Sequence, residues 1–157
     1  DKSGIEQIYE WVEGKRAVFI FPITREGKVI LIKNFRIPLE QYVIEMPAGL
    51  MDKEGEIPED TARRELFEET GFIVRVEKLA AVHDINKHQP GQLHHAYKLL
   101  FSCEIVGGAA APSAETSDVS FFATTDLPPL STRRTTEAQI RMLFQHHIHS
   151  ELPTEFD

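Results

Sequence analysis

Six residues in the middle of the chain have the types and spacing of a reactive site: Glu56, Arg64, Glu65, Glu68, Glu69 and Gly71. They lie within GLMDKEGEIPEDTARRELFEETGF, from Gly49 to Phe72. On a helix of 3.6 residues per turn, positions 65, 68 and 69 share one face, so three carboxylates fall within about 100° of arc. Like charges packed this closely cost free energy unless a cation sits among them. Hard oxygen ligands of this kind suit Mg²⁺ or Mn²⁺, which bind through carboxylates and usually keep waters and substrate phosphate oxygens. The chemistry indicated is metal-assisted attack on a phosphate.

An acidic helix face is ordinarily just solvated, and a lone E-x-x-E-E would carry little weight. Here six positions are fixed together. If each were filled by chance about one time in fifteen, the coincidence at a given start would be roughly one in ten million.

The elements that must hold these residues can be read from the flanking sequence. Residues 16–24 (RAVFIFPIT) and 29–35 (VILIKNF) predict two strands around a turn at Arg25-Glu26-Gly27-Lys28. A third short strand, 42–46, runs into Pro47-Ala48-Gly49. The acidic helix starts near Pro58, a residue suited to the first helical position, with Glu59 and Asp60 well placed in the first turn. Ile57 is a poor cap, whereas Gly71 is a good stop. Further strands are expected over 72–83, 94–106 and 119–123, the last of these closing the sheet. Thr136 and Gln139 form a capping box that opens a C-terminal helix, on which Ile140, Leu143, Phe144 and His147 share a face. The 5–12 segment reads as an edge strand or a swapped arm. This order predicts an α/β fold with a mixed sheet between helices.

The central segment resembles the Nudix box: Gly, five residues, Glu, seven residues, Arg-Glu, an aliphatic, any residue, Glu-Glu, any residue, Gly, an aliphatic. This chain has six residues between Gly49 and Glu56, and Phe72 where an aliphatic is usual. The extra residue falls in Asp52-Lys53-Glu54-Gly55, a loop able to absorb it without moving the helix. The resemblance implies the Nudix-type α/β/α sandwich and a divalent metal, Mg²⁺ or Mn²⁺. It also implies Glu65 and Glu69 as main metal ligands, Glu68 as a further ligand and the Ala48 carbonyl as an additional one. Arg64 would pair with Glu56 and brace the loop against the helix.

Outside the box, Asn34-Phe35-Arg36 followed by Glu45-Met46-Pro47-Ala48-Gly49 looks like the ADP-ribose pyrophosphatase group, in which the matching Arg contacts substrate. Arg36 is therefore carried over as a substrate-binding residue; read alone, it would be a strand-end Arg paired with a surface acid. Gln89-Pro90-Gly91 fits a loop of the same group. A further catalytic Glu usually sits in a loop before the last strand, which makes Glu115 the candidate and Asp118 the fallback. The tail resembles a second Nudix branch, associated with CDP-choline hydrolysis, through Glu115-Thr116-Ser117-Asp118-Val119, Leu127-Pro128-Pro129-Leu130-Ser131 and Gln139-Ile140. The implied reaction is hydrolysis of a nucleoside diphosphate-linked compound, ADP-ribose preferred and CDP-choline or another nucleotide sugar the alternative. The first group also implies a homodimer whose N-terminal arms reach the partner.

Composition agrees with one domain. The chain has 157 residues, 41% hydrophobic and 27% charged, which is ordinary for a globular protein. A net charge of −8 argues against nucleic acid or anionic membrane as main partners, and no apolar run approaches bilayer length. Divalent ions would locally reverse the sign for a phosphate substrate. Asp1 is not a natural start, so the native N-terminus is expected upstream. Cys103 is alone and reads as an ordinary buried thiol, and the expected compartment is the reducing cytoplasm. His94 and His95 are adjacent on a strand and face opposite ways, so they cannot share a metal. His146, His147 and His149 read as cations at the end of a helix. Of Phe121 and Phe122, one is expected in the core and the other at the surface. Two other classes stand beside the hydrolase. A non-catalytic nucleotide sensor would be expected to lose box carboxylates, and a diphosphate isomerase would need further acid/base residues such as a reactive Cys.

Overall fold

The near-continuous apolar run around Val18–Ile23 forms a strand covered on both faces, as such runs do. In the computed structural model, which describes residues 15–88, 96–131 and 134–157, it is β1 (Lys15–Ile23). Val18 and Ile20 point to one side, where they pack with Ala62, Leu66, Val74, Phe101 and Cys103. Phe19, Phe21 and Ile23 point to the other, against Leu31, Met46, Leu100, Ile140 and Leu143. One strand thus divides two cores, and a helix closes each.

The other strands are β2 (Lys28–Arg36), β3 (Gln41–Glu45), β4 (Ala48–Leu50), β5 (Phe72–Asp84), β6 (Ala96–Gly108), β7 (Thr116–Ala123) and β8 (Glu155–Phe156). The sheet order is β3-β2-β1-β6-β5-β8, with β4 added to β1 and β7 to β2. β1 and β6 run parallel from Lys15↔Ala96 to Ile23↔Glu104, whereas β5 and β6 are antiparallel. The sheet is therefore mixed and lies between helices, the α/β/α arrangement expected.

α1 (Pro58–Thr70) begins at Pro58 with no side-chain cap from Ile57. It ends at Gly71, whose φ of 77° is left-handed. A Cβ there would meet the Ala109 carbonyl oxygen at 2.4 Å, so Gly71 is fixed by space as well as by conformation. Leu66 is fully buried beneath the helix. A buried side chain of that size contributes about 1.5–3 kcal/mol, enough to set the rotation that leaves Glu65, Glu68 and Glu69 on the outer face.

α2 (Ile85–His88) is a single turn, and α3 (Glu137–Ile148) carries the expected capping box between Thr136 and Gln139. Its inner row is Ile140, Leu143 and His146, and His147 is not part of it. The two rows differ by one position on a 3.6-residue helix. Phe144 packs against the same core, as expected, and β8 returns to β5 and brings Glu155 Oε1 to 2.9 Å from His146 Nε2. His146 is therefore buried beside a carboxylate and not a solvated cation at the helix end, and His147 Nδ1 lies 3.2 Å from Glu77 Oε2.

One further expectation shifts and two hold. β7 begins at Thr116 and is followed by β8, so it is not the last strand. Phe122 packs on the core while Phe121 is exposed and meets Phe72 edge-on. Cys103 is fully buried, and burial raises its thiol pKa, as suits an inert core residue. The 5–12 segment, Gln89-Pro90-Gly91, His94 and His95 lie outside the described residues. Among the described residues, no helix is long and apolar enough to cross a membrane.

Candidate active site

β4 and α1 meet where the sequence has Gly49. A Cβ at Gly49 would fall 1.9 Å from the Glu65 Cδ, so only glycine lets the Glu65 side chain lie across the strand. One residue back, the Ala48 N–H donates to Glu69 Oε2 at 3.0 Å. Glu65, Glu68 and Glu69 line the same cavity of about 1010 Å³, together with Ala48 and Gly49. Burial, with the Glu65 charge adding to it, pushes the Glu69 carboxyl up to about 8 although the Ala48 bond works the other way. Burial also raises Glu65, against the pull of Arg64.

Arg64 holds the loop to the helix. Its Nε donates to Glu56 Oε1 at 2.8 Å and its Nη2 to Glu56 Oε2 at 2.9 Å, a two-pronged pair. Thr61 Oγ1 donates to the same Glu56 oxygen. The Arg64 guanidinium holds the Glu56 carboxyl well below the usual range, at about 2. The six-residue spacing from Gly49 therefore still delivers Glu56 to Arg64. The extra residue is taken up in the turn where the Glu56 N–H donates to Lys53 O at 3.2 Å.

Arg64 also reaches Glu65 at 2.5 Å and Glu68 at 3.4 Å. The expected convergence of three carboxylates is thus altered. They share a wall, but among the described residues no three acidic, His or Cys side chains enclose a common point. Arg64 draws Glu65 and Glu68 towards itself, and the Ala48 N–H holds Glu69. The donor set remains all hard oxygen on one exposed wall. A divalent ion fits it once Glu65 and Glu68 swing away from Arg64, a change of side-chain rotamer alone.

Arg36, Lys98 and Arg134 bring positive charge to the same cavity. Arg36, at the end of β2, pairs with Glu45 Oε1, and Arg134 Nε lies 3.2 Å from Glu45 Oε2 without the alignment of a hydrogen bond. Glu45 is only 1% exposed, and Asn34 Nδ2 also donates to it at 3.3 Å. Arg36 thus pairs with a buried acid, not with the surface acid of the plain reading. Lys98, on β6, lies over the Phe19 ring and donates to the Arg134 carbonyl at 3.3 Å. Burial, and then Arg134, brings its amine down to about 8.

The structure places Arg36, Ala48, Arg64, Glu65, Glu68, Glu69 and Glu115 on this one cavity, with Glu56 behind Arg64. Glu115 stands just before β7 and faces Arg36 closely enough for its charge to be felt there. Asp118, on β7 opposite Lys33, does not line the cavity and accepts from Ser120. Lys98 and Arg134 escaped the sequence reading, and Glu45 entered it only as part of a motif, without its role as the partner of Arg36. Lys98 left one trace, a lone cation inside the apolar run YKLLF.

The NUDIX domain model matches residues 14–144. The chain belongs to the Nudix family. Among its Nudix relatives, YjhB of Bacillus subtilis (strain 168) is 32% identical over 136 residues, covering 86% of this chain and 63% of that protein. The ADP-ribose pyrophosphatase of the same organism is 50% identical over 66 residues, 42% of this chain and 35% of that one. The chain thus spans between a third and two thirds of the length of these relatives. The crystal structure of an ADP-ribose pyrophosphatase from Streptococcus suis 89-1591 superposes with a TM-score of 0.79 at 25% identity, covering 92% of this chain and 99% of that one.

Proposed function

We propose that this Nudix domain hydrolyses the diphosphate of nucleoside diphosphate-linked compounds, with ADP-ribose preferred and AMP and ribose 5-phosphate as products. The observation that carries the reading is the cavity that Glu65, Glu68 and Glu69 share with Arg36. A diphosphate with a divalent cation has the charge pattern to fill it. The similarity to ADP-ribose pyrophosphatases supports the choice of substrate.

In this reading Glu65, Glu68, Glu69 and the Ala48 carbonyl hold Mg²⁺ or Mn²⁺. When bound, the ion neutralises phosphate oxygens and lowers the pKa of an attacking water. Arg36 contacts the diphosphate and keeps it oriented, with Glu45 fixing the guanidinium. Glu115 accepts the proton that the water gives up as it attacks phosphorus. Glu56 and Arg64 keep α1 registered on β4. Residues 1–157 act as one domain, and β3, which ends the sheet with Tyr42 exposed, is the edge offered to a second copy. Light scattering of the purified chain at the mass of a monomer would remove the dimer from this reading.

The test is a hydrolysis screen with Mg²⁺ or Mn²⁺ over ADP-ribose, other nucleotide sugars, CDP-choline and nucleoside triphosphates, with products identified by mass. AMP with ribose 5-phosphate as the dominant pair is the expected result. CMP with phosphocholine would transfer the assignment to the branch that the tail resembles. No turnover with either metal would sink the hydrolase and leave a nucleotide sensor.

A further inference from the structure

Lys98 and Arg134 have no role in the family pattern, yet both line the cavity with Arg36. They come from distant parts of the chain: Arg36 from the end of β2, Lys98 from β6 and Arg134 from the segment before α3. One buried carboxylate, Glu45, lies between the two guanidiniums. Lys98 is 8% exposed, with its amine against the Arg134 carbonyl. Gathering three cations on one partly desolvated stretch of cavity costs free energy. Burial lowers the pKa of each, and the Arg134 charge disfavours both Arg36 and Lys98. The Nε atoms of Arg36 and Arg134 are buried and have no aligned hydrogen-bond partner among the described residues. The three side chains nevertheless line one cavity, and positive charge gathered there suits an anion that arrives later.

We infer that Lys98 and Arg134 complete, with Arg36, a phosphate-binding wall of the cavity that holds the diphosphate of the substrate and does so without a metal ion. The inference rests on the proposed function for the identity of the substrate, but the wall itself would bind any compact diphosphate. The competing reading makes Lys98 a structural tie for the Arg134 segment. That reading predicts a loss of stability when the amine is removed and no change in anion affinity.

The experiment is calorimetric titration of inorganic pyrophosphate, and separately of ADP-ribose, into the metal-free chain in EDTA. It compares the unaltered chain, Lys98→Met, Lys98→Gln, Arg134→Gln and, as a control far from the cavity, Arg75→Gln. The unaltered chain and the control should bind pyrophosphate alike, and each cavity variant should bind it roughly tenfold or more weakly, as for a lost charge-assisted hydrogen bond. With metal and ADP-ribose, the same variants should raise KM more than they lower kcat. No pyrophosphate binding by the unaltered chain in EDTA would overturn the inference whatever the variants do. Folded Lys98 variants with unchanged affinity would overturn it in favour of the structural tie. Pyrophosphate binding that depends on Lys98 and Arg134, in a chain that never cleaves ADP-ribose, would uphold the wall and sink the proposed function instead.

Discussion

The carboxylates of the cavity come from one helix, while its cations are gathered from β2, β6 and the segment before α3. Glu65, Glu68 and Glu69 owe their common direction to helical geometry and to Leu66 beneath them. Arg36, Lys98 and Arg134 meet only because β1 places β2 on one side and β6 on the other. The two sets also differ in how they are neutralised. Arg64 shields the acidic side from within, drawing on Glu56, Glu65 and Glu68, whereas the basic side has one buried acid, Glu45. Both sets of charges line the same cavity, and Glu69 lies close enough to Arg36 and Arg134 for each to feel the other.

The largest effect should come from Glu69→Gln, which removes the most buried of the three box carboxylates and keeps its shape. Turnover should fall by about a hundredfold to ten-thousandfold, with Tm little changed, because a neutral amide cannot replace the ligand charge. Activity within a few-fold of the unaltered chain would show that the acidic wall is not the metal side.

Gly49→Ala separates the position of that wall from its charge. The added Cβ must displace the flexible Glu65 side chain, so kcat/KM should drop about tenfold or more while stability changes by less than ~1 kcal/mol, measured by steady-state kinetics and urea unfolding. An unperturbed variant would mean that Glu65 has another place to go.

The brace behind the wall has a signature in pH. The Glu56 pKa is depressed to about 2 when folded, so its pairing with Arg64 stabilises the chain above the ordinary carboxylate value near 4.5 and fades as pH falls towards 2. The Tm difference between the unaltered chain and Glu56→Gln should therefore be full at neutral pH and shrink on acidification through that window. A difference that stays constant down to pH 3 would remove the ion pair as its cause.

The smallest effect bounds the comparison from outside. Thr136→Ala deletes the cap of α3 and should cost ~1 kcal/mol by urea unfolding, leaving kcat and KM unchanged. A change in kinetics would show that the cap governs how Arg134, two residues before it, is held.

How much was legible follows the same division. α1, its Pro58 start, its Gly71 stop and the capping box of α3 could be read because each depends on residues within a turn or two. The pairing of Arg64 with Glu56 was legible too, since both belong to one motif. His146 was misjudged because its partner Glu155 sits on a strand that only the returning tail brings there. Lys98 looked like a strand residue and nothing more, since its neighbours Phe19 and Arg134 lie 79 and 36 positions away.

The sequence by itself determined which residues could carry the charge of a metal site and that they would share a face, because helical periodicity is a local property. It also determined the family, through a spacing that chance does not produce. Only the tertiary structure decided that Arg64 draws in two of the three carboxylates, that Glu45 is buried between two guanidiniums, and that Lys98 joins them. Those outcomes depend on which strands lie side by side and on which charges lose their water when they do, and neither is set by neighbours along the chain.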